Sequence, residues 1–274
     1  MSQAFEIMQW PLLACLLLPG LLVYLGLQII RREIIFVDLA LAQVAALGSS
    51  IGILMHFEPL SWQNYLLSLG FTLIGAAVFT FTRNENHRVP QEALIGIVYV
   101  VAAATGILVL SNNTEGNEEL RRSLIGDVLL VSPRQVFCTF ALYVVAAVAH
   151  YIFRKQFLAL SFHPENASQI SVRTWDFVFY AIFGWVVTSF VQIGGVLLVF
   201  SYLIIPAICA NYLAQKLATL LLTGWIIATL ASLAGLYTSY KFDLPTGAAI
   251  VCMLALFLIA CMTLGVFVHK KRVD

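Results

Sequence analysis

The sequence predicts an all-α, polytopic membrane protein, because apolar stretches of spanning length follow one another along almost the whole chain. Hydrophobic residues make up 61% of the 274 residues, and charged residues make up only 11%. An ordinary soluble domain carries about a quarter charged residues, so a water-soluble fold is excluded. We expect one transmembrane domain over residues 1–274, with its functional residues among the few polar side chains inside the spans.

Nine stretches are long enough to cross a bilayer, for which a helix needs about 20 apolar residues. They cover residues 10–30, 35–55, 61–82, 92–110, 135–153, 175–193, 195–213, 217–237 and 246–268. With the N-terminus outside, nine crossings place eleven of the fifteen Lys and Arg residues in inner loops, as the positive-inside rule requires. The C-terminus is then cytoplasmic.

The stretch 195–213 is the least regular of the nine. It follows its predecessor after only Gly194 and Gly195, and it contains Pro206. This pattern describes either a tight hairpin with a kinked second helix or one broken or re-entrant segment. The second alternative gives eight spans and moves the N-terminus to the cytoplasm. Because broken helices often mark transport sites, Gln192 and Ser201 become candidates for a substrate path.

Two connections are longer than a turn needs. The outer connection, 111–133, ends in an amphipathic piece, 120–131, that is interrupted at Gly126 and predicts an interfacial helix. In the inner connection, 154–175, Pro164 and Glu165 have the chemistry of a first helical turn. A short cytoplasmic helix is therefore expected there.

Several classes of function are excluded by what the sequence lacks. No GxxxxGK[ST] phosphate loop is present, so ATP-driven work requires another subunit. No HExxH motif occurs, and the five cysteines form no CxxC pair, so an enzyme is not expected. The net charge of +1 gives no basic surface for nucleic acid.

Asp38 is the ionisable residue most clearly placed inside a predicted span. It follows Arg32 by six residues, which is about 9 Å along a helix. Small residues that permit close helix packing or line a narrow path surround it: Ala40, Ala42, Ala45, Ala46, Gly48, Ser49 and Ser50. Asp38 is either an interfacial residue paired with Arg31 or Arg32, or a carboxylate on a substrate path. Gln43, about 140° away around the helix, would serve a different face.

The remaining polar residues have simpler interpretations. Asp243, in the segment Asp-Leu-Pro-Thr-Gly, is expected to form a turn and cap a helix. Asp127 belongs to the outer loop. His56, Glu58 and His150 lie near predicted helix ends and are expected at the interface.

The chain resembles the integral-membrane permeases of metal-type ABC importers, the class that takes up zinc, manganese or iron(II), over nearly its whole length. The resemblance is carried by six segments in the family's order: the helix with Asp38 and small residues to Gly48, Glu92 to Ile97, Ile125 to Pro133, Leu160 to Ala167, Gly195 to Ala207, and Asp243 to Gly247. It implies a permease subunit of the bacterial inner membrane that alternates access to its two sides.

The resemblance implies the fold and the transport class, but it does not identify the substrate. The family has a histidine four residues after its aspartate, where this chain has Ala42 with Gln43 beside it. A glutamine amide is a poor transition-metal ligand compared with imidazole. Asp38 is therefore the single metal-contacting candidate, and either a metal ion or a metal chelate is expected as substrate.

The resemblance also implies partners: cytoplasmic ABC ATPase subunits, an extracytoplasmic solute-binding protein and a second permease, identical or not. The chain itself is expected to bind no cofactor. ATPase docking is expected on a short cytoplasmic helix at 211–217, with Asn211, Ala214, Gln215 and Lys216, or on the loop 163–171. The alternative function is a gradient-driven secondary transporter or channel that works without an ATPase.

Overall fold

The computed structural model describes residues 2–59, 61–82, 90–111, 116–126, 128–162 and 171–270, and these residues form an all-α fold. Its helices are α1 (Ser2–Arg31), α2 (Val37–Leu54), α3 (Trp62–Thr82), α4 (Gln91–Leu110), α5 (Gly116–Ile125), a short 3-10 helix (Val128–Leu130), α6 (Pro133–Ile152), α7 (Arg154–Phe162), α8 (Val172–Leu213), α9 (Leu217–Phe242) and α10 (Thr246–Lys270). The predicted fold class is confirmed.

Eight helices in the described part of the chain are long and apolar enough to cross a membrane, where the sequence favoured nine spans. The difference lies in α8, where the predicted stretches 175–193 and 195–213 are two helices that meet at a kink and are counted together as one element of 42 residues. Its backbone leaves helical geometry at Gly195, with φ 70° and ψ 166°. The predicted break is confirmed, but no separate turn residues intervene.

The two long connections differ from the predictions in their details. The amphipathic helix α5 begins at Gly116, ends at Ile125 and is followed by the 3-10 turn, so the predicted helix over 120–131 is shifted toward the N-terminus. In the inner connection the structure has α7, which was not predicted. The helix expected at Pro164 and Glu165 lies outside the described residues.

The chain divides into two compact units, and α1, α6 and α8 contribute to both. Unit A runs from Gln28 to Gly126 and from Ala141 to Val196. Unit B is built from the remaining described residues. In α8 the change of unit follows the break at Gly195 directly.

In unit A, close contacts between helices are made through small residues. Gly48 of α2 faces the backbone of Ser68 on α3, and a Cβ at Gly48 would lie 2.8 Å from the Ser68 Cα. Helix α3 meets α8 through a hydrogen bond of 2.7 Å between the Thr72 and Thr188 hydroxyls. Such contacts replace the hydrophobic driving force, which is weak between helices in lipid.

The helices of unit A alternate in direction, which defines two ends. Ile35, just before α2, binds Glu92 at the start of α4, whereas Ser50 of α2 lies beside Gly106 near the end of α4. Basic residues between the helices concentrate at the first of these ends, which the positive-inside rule places in the cytoplasm. Helix α5 therefore belongs to the outer end.

In unit B, α9 packs on the second part of α8 and on α10. The Tyr202 hydroxyl lies 2.6 Å from the Ser232 hydroxyl. A Cβ at Gly235 would lie 2.5 Å from the Ile250 Cα, so only glycine permits this approach. Next to the turn into α10, the Ser239 hydroxyl donates to the carbonyl of Leu244 at 2.7 Å.

Candidate functional site

Asp38 is a buried carboxylate at the first turn of α2, and its side chain is 1% exposed. Neither carboxylate oxygen has a hydrogen-bond partner of standard geometry among the described residues. The positive end of the helix dipole partly stabilises a carboxylate at this position. A buried carboxylate without an ion-pair partner is costly at membrane depth, which makes Asp38 a candidate functional residue.

The alternative role, an interfacial Asp38 paired with Arg31 or Arg32, is not observed. The Arg32 guanidinium instead binds Asp176 of α8, with Nη1 2.9 Å from Oδ1. Asp38 also lies less deep in a helix than expected, because α1 ends at Arg31 and α2 begins only at Val37. Its burial comes from packing around the N-terminus of α2 rather than from helical depth.

Arg32 and Asp176 are the centre of a buried polar cluster that the sequence interpretation missed. The Arg32 Nε donates to the Ser161 hydroxyl at 2.8 Å, and Ser161 donates to Gln28 Oε1 at 3.2 Å. The guanidinium carbon also lies 3.9 Å from the ring centre of Phe179. The available signal was an aspartate just inside a predicted span, since such charges usually have partners.

Gln43 is buried on α2 and does not join Asp38. The two residues are five apart, which places them about 140° apart around the helix, as the sequence indicated. Glu92 has a role closer to Asp38: its Oε1 accepts a hydrogen bond of 2.8 Å from the backbone N–H of Ile35. This bond fixes the connection that leads into α2 and thereby positions its first turn.

Gln192 lies just before the break in α8, at the outer end of unit A, where it lines a polar cavity with Ser49 and Ser50 of α2. Its Nε2 is buried and has no hydrogen-bond partner among the described residues. Gln192 therefore faces α2, the helix that carries Asp38, but near Ser49 and Ser50 and not near the first turn that holds Asp38. The structure brings this predicted path residue to α2 but not into contact with Asp38.

Gly195 and Gly126 bring two backbones into direct contact next to this cavity. Both glycines have positive φ, 70° and 66°, a conformation that is costly for other residues. A Cβ at Gly195 would lie 2.6 Å from the carbonyl carbon of Ile125. The break in α8 is therefore packed against the end of α5.

The other predicted site residues belong to unit B. Ser201 is buried, and its hydroxyl donates to the carbonyl of Leu197 at 2.8 Å within α8. The predicted short helix at 211–217 is wrong, because α8 ends at Leu213 and α9 begins at Leu217. Asn211, Gln215 and Lys216 are exposed and Ala214 is half-buried, so the connection still offers a surface. The loop 163–171 lies almost entirely outside the described residues.

The remaining polar residues divide between confirmed and wrong predictions. His56 and Glu58 are exposed just after α2, as expected at an interface. His150 is instead buried, with its ring centre 4.5 Å from that of Phe157. Asp243 forms the expected turn, but it caps the C-terminus of α9 in the left-handed conformation. Asp127 lies outside the described residues.

No group of three or more His, Cys, Asp or Glu side chains converges in the described part of the chain. A complete inner coordination shell for a transition metal is therefore absent there, since such ions require several imidazole, thiolate or carboxylate ligands. Asp38 offers two oxygen atoms, and the surrounding helix offers only small or neutral side chains.

Comparisons with known proteins identify the family of the chain. Residues 4–265 match the family described as the ABC 3 transport family. The manganese transport system membrane protein MntC of Listeria innocua is 31% identical, with coverage of 76% of this chain and 79% of that protein. The manganese transport system membrane protein MntB of Synechocystis is 30% identical, with coverage of 72% and 67%.

A solved structure shares the fold. PsaBC from Streptococcus pneumoniae, determined in complex with Fab, aligns with a TM-score of 0.79 and 23% identity. The alignment covers 94% of this chain and 92% of that chain. The arrangement of helices described above is therefore that of a known membrane fold.

Proposed function

Because the chain belongs to the ABC 3 transport family, we propose that it is the membrane-spanning permease of an ATP-driven importer for a divalent transition metal. The observation that carries this proposal is Asp38, a buried carboxylate that has no ion-pair partner among the described residues and lies on a helix rich in small residues. The chain supplies a path for the substrate and no covalent chemistry.

The donor atoms on this path favour manganese or iron(II) over zinc. Carboxylate and water oxygens suit Mn²⁺, whereas Zn²⁺ is better held by imidazole or thiolate. Position 42, one turn after Asp38, is alanine, so no imidazole stands beside the carboxylate. Relatives described as manganese transport proteins support this choice. A metal chelate would meet the same single carboxylate.

Energy for transport must come from partner subunits, since the sequence has no phosphate loop. The proposed partners are two cytoplasmic ATPase subunits, a second permease, identical or not, and a solute-binding protein at the outer face. The exposed α8–α9 connection at 211–216 is the proposed docking surface for the ATPase. This connection directly follows the second part of α8, which begins at Gly195 and ends at Leu213.

The break at Gly195 supports an alternating-access mechanism. A residue with non-helical φ and ψ inside α8 lets the helical portions on its two sides change their angle without breaking further hydrogen bonds. A push on the α8–α9 connection would act on the portion after the break. Asp38 lies at the cytoplasmic end of unit A, where the substrate would leave the permease toward the cytoplasm.

The proposal is tested by reconstituting the permease with its partner ATPase in proteoliposomes, adding the solute-binding protein at the outer face, and measuring accumulation of radioactive Mn²⁺. Accumulation should require ATP and should be lost with a hydrolysis-deficient ATPase. Accumulation without ATP, abolished when the ion gradients are dissipated, would instead identify a secondary transporter.

A further inference from the structure

The cytoplasmic end of unit A carries three exposed basic side chains at the corner where α6, α7 and α8 meet. Arg154 and Lys155 begin α7, and Arg173 lies in the first turn of α8. A ring contact brings the two segments together, since the ring centre of Trp175 lies 5.0 Å from that of Phe153. Two separate segments therefore contribute to one basic cluster, which consists of Arg154, Lys155 and Arg173.

The charges of this basic cluster are not neutralised within the described part of the chain. None of its three members forms an ion pair there. The aspartate closest to the cluster along α8, Asp176, is buried and binds Arg32, so its charge is already compensated. At the end of α1, the exposed residues Arg31 and Glu33 carry opposite charges. The cluster therefore presents three positive charges to its surroundings.

The basic cluster lies at the level of the lipid headgroups. Helix α6 is long and apolar enough to span the membrane and ends at Ile152, two residues before Arg154. The Arg154 guanidinium carbon lies 4.6 Å from the ring centre of Tyr151, a cation–π distance, and Tyr151 is 68% exposed. Tyrosine rings at the ends of spans favour the boundary between hydrocarbon and headgroups. The ring therefore holds the guanidinium at that boundary, on the outer surface of unit A.

An apolar strip on α6 leads to the basic cluster from the hydrocarbon side. Val144, Val148 and Tyr151 follow one another at spacings of four and three residues, so they lie on one face of the helix. All three are exposed, and they extend over about 10 Å at 1.5 Å per residue. A lipid whose acyl chain packs along this strip has its phosphate beside Arg154. A soluble phosphate would gain nothing from the strip.

We propose that the basic cluster binds the headgroup of an anionic phospholipid in the cytoplasmic leaflet. The guanidinium groups of Arg154 and Arg173 present planar sets of donors to phosphate oxygens, and Lys155 adds a flexible ammonium donor. Basic residues next to the cytoplasmic ends of membrane helices attract anionic headgroups. The cluster thus gives the permease a lipid partner, whatever substrate it transports.

The lipid preference is measured on the purified full-length permease in mixed micelles that contain equal amounts of phosphatidylglycerol and phosphatidylcholine. Native mass spectrometry counts the lipids that stay bound. The wild type should retain phosphatidylglycerol in preference to phosphatidylcholine. Arg154→Gln/Lys155→Gln should lower this preference at least fivefold, which corresponds to a loss of about 1 kcal/mol. Because both residues are exposed, the unfolding temperature in lipid-free detergent should stay unchanged.

Arg121→Gln/Arg122→Gln is the matched control. It also removes two adjacent, exposed basic residues, but from α5 at the outer end, where Glu118 and Glu119 lie one turn before them. This variant should keep the lipid preference of the wild type. Soluble glycerol phosphate, added in excess, separates a lipid site from a phosphate site. It should not displace bound phosphatidylglycerol, because it has no acyl chain to pack on α6.

An unchanged lipid preference in Arg154→Gln/Lys155→Gln, or an equal loss in the α5 control, would overturn the proposal. Displacement of the lipid by glycerol phosphate would also overturn it and would assign the basic cluster to a soluble phosphate compound. An unchanged lipid preference together with loss of the ATPase from the purified complex would identify the cluster as a protein contact instead.

Discussion

Arg32 and Asp176 form a buried ion pair, with Nη1 2.9 Å from Oδ1 and with side chains only 4% and 1% exposed. The pair connects the residue that follows α1 to the first turns of α8. Both charges are removed from water, so each depends on the other for compensation. At the cytoplasmic end of unit A, the pair holds the connection that leads into α2 against the start of α8.

Removing one partner of this pair should destabilise the permease strongly. Asp176→Asn or Arg32→Ala leaves an uncompensated buried charge, which typically costs about 3–5 kcal/mol. Thermal unfolding of the purified protein in detergent measures the loss. Arg173→Ala, which removes an exposed charge from the same end of α8, should change the unfolding temperature little. Equal unfolding temperatures for Asp176→Asn and Arg173→Ala would contradict the role of the pair.

Alanine at Gly195 should impair both folding and transport. The residue has φ 70°, and a Cβ would collide with the end of α5, so α5 and α8 would have to separate. Gly70→Ala is the control, because a Cβ there meets nothing within 4 Å and alanine favours a helix. The yield of folded complex and the rate of ATP-driven uptake are measured for both. Normal uptake by Gly195→Ala would show that the break is not required.

Introducing histidine beside Asp38 should tighten zinc binding. Ala42 lies one turn from Asp38 on the same face of α2, whereas Gln43 lies on another face. We therefore expect Ala42→His to bind Zn²⁺ at least tenfold more tightly than the wild type, and Gln43→His to have a smaller effect. Titration calorimetry on the isolated permease measures both. Tight binding by the wild type that survives substitution of both Asp38 and Gln43 would refute the assignment of the metal contact.

A charge at Ala214 should release the ATPase without unfolding the permease. Ala214 is half-buried in the α8–α9 connection, so a glutamate there would disturb a docked surface. Glu118→Lys changes an exposed charge of α5 at the outer end and should leave ATPase binding unchanged while weakening capture of the solute-binding protein. Co-purification measures both effects. Full ATPase recovery with Ala214→Glu, together with its loss on substitution of His163 or Glu165, would move the docking surface to the loop 163–171.

The sequence predicted the membrane helices well, because each span needs a long apolar stretch that is visible without knowledge of its neighbours. It also located the break at Gly194 and Gly195, since glycine pairs interrupt helices. It could not give the geometry of this break, because that depends on the φ and ψ of one residue, Gly195. The prediction of a separate short helix at 211–217 was wrong, because residues 211–213 continue α8 and do not begin a new helix.

Partners of polar residues were much harder to predict than the residues themselves. Asp38 stood out by its position, but its supposed partner Arg32 binds Asp176, which is 144 residues away in sequence. His150 lies near a helix end and was assigned to the interface, yet it is buried against Phe157 and Phe179. In both cases tertiary packing decides the surroundings, and spacing along one helix contains no information about it.

Mn²⁺ uptake by Asp38→Asn, in proteoliposomes that contain the permease and its ATPase and are supplied with the solute-binding protein, is the most direct test of the proposed path. The substitution keeps the shape of the side chain and removes its charge, so uptake should fall at least tenfold while expression and ATPase binding are retained. Asp243→Asn makes the same chemical change at an exposed position, where asparagine tolerates the left-handed conformation, and should transport normally. Uptake by Asp38→Asn within twofold of the wild type would contradict a transport path through Asp38.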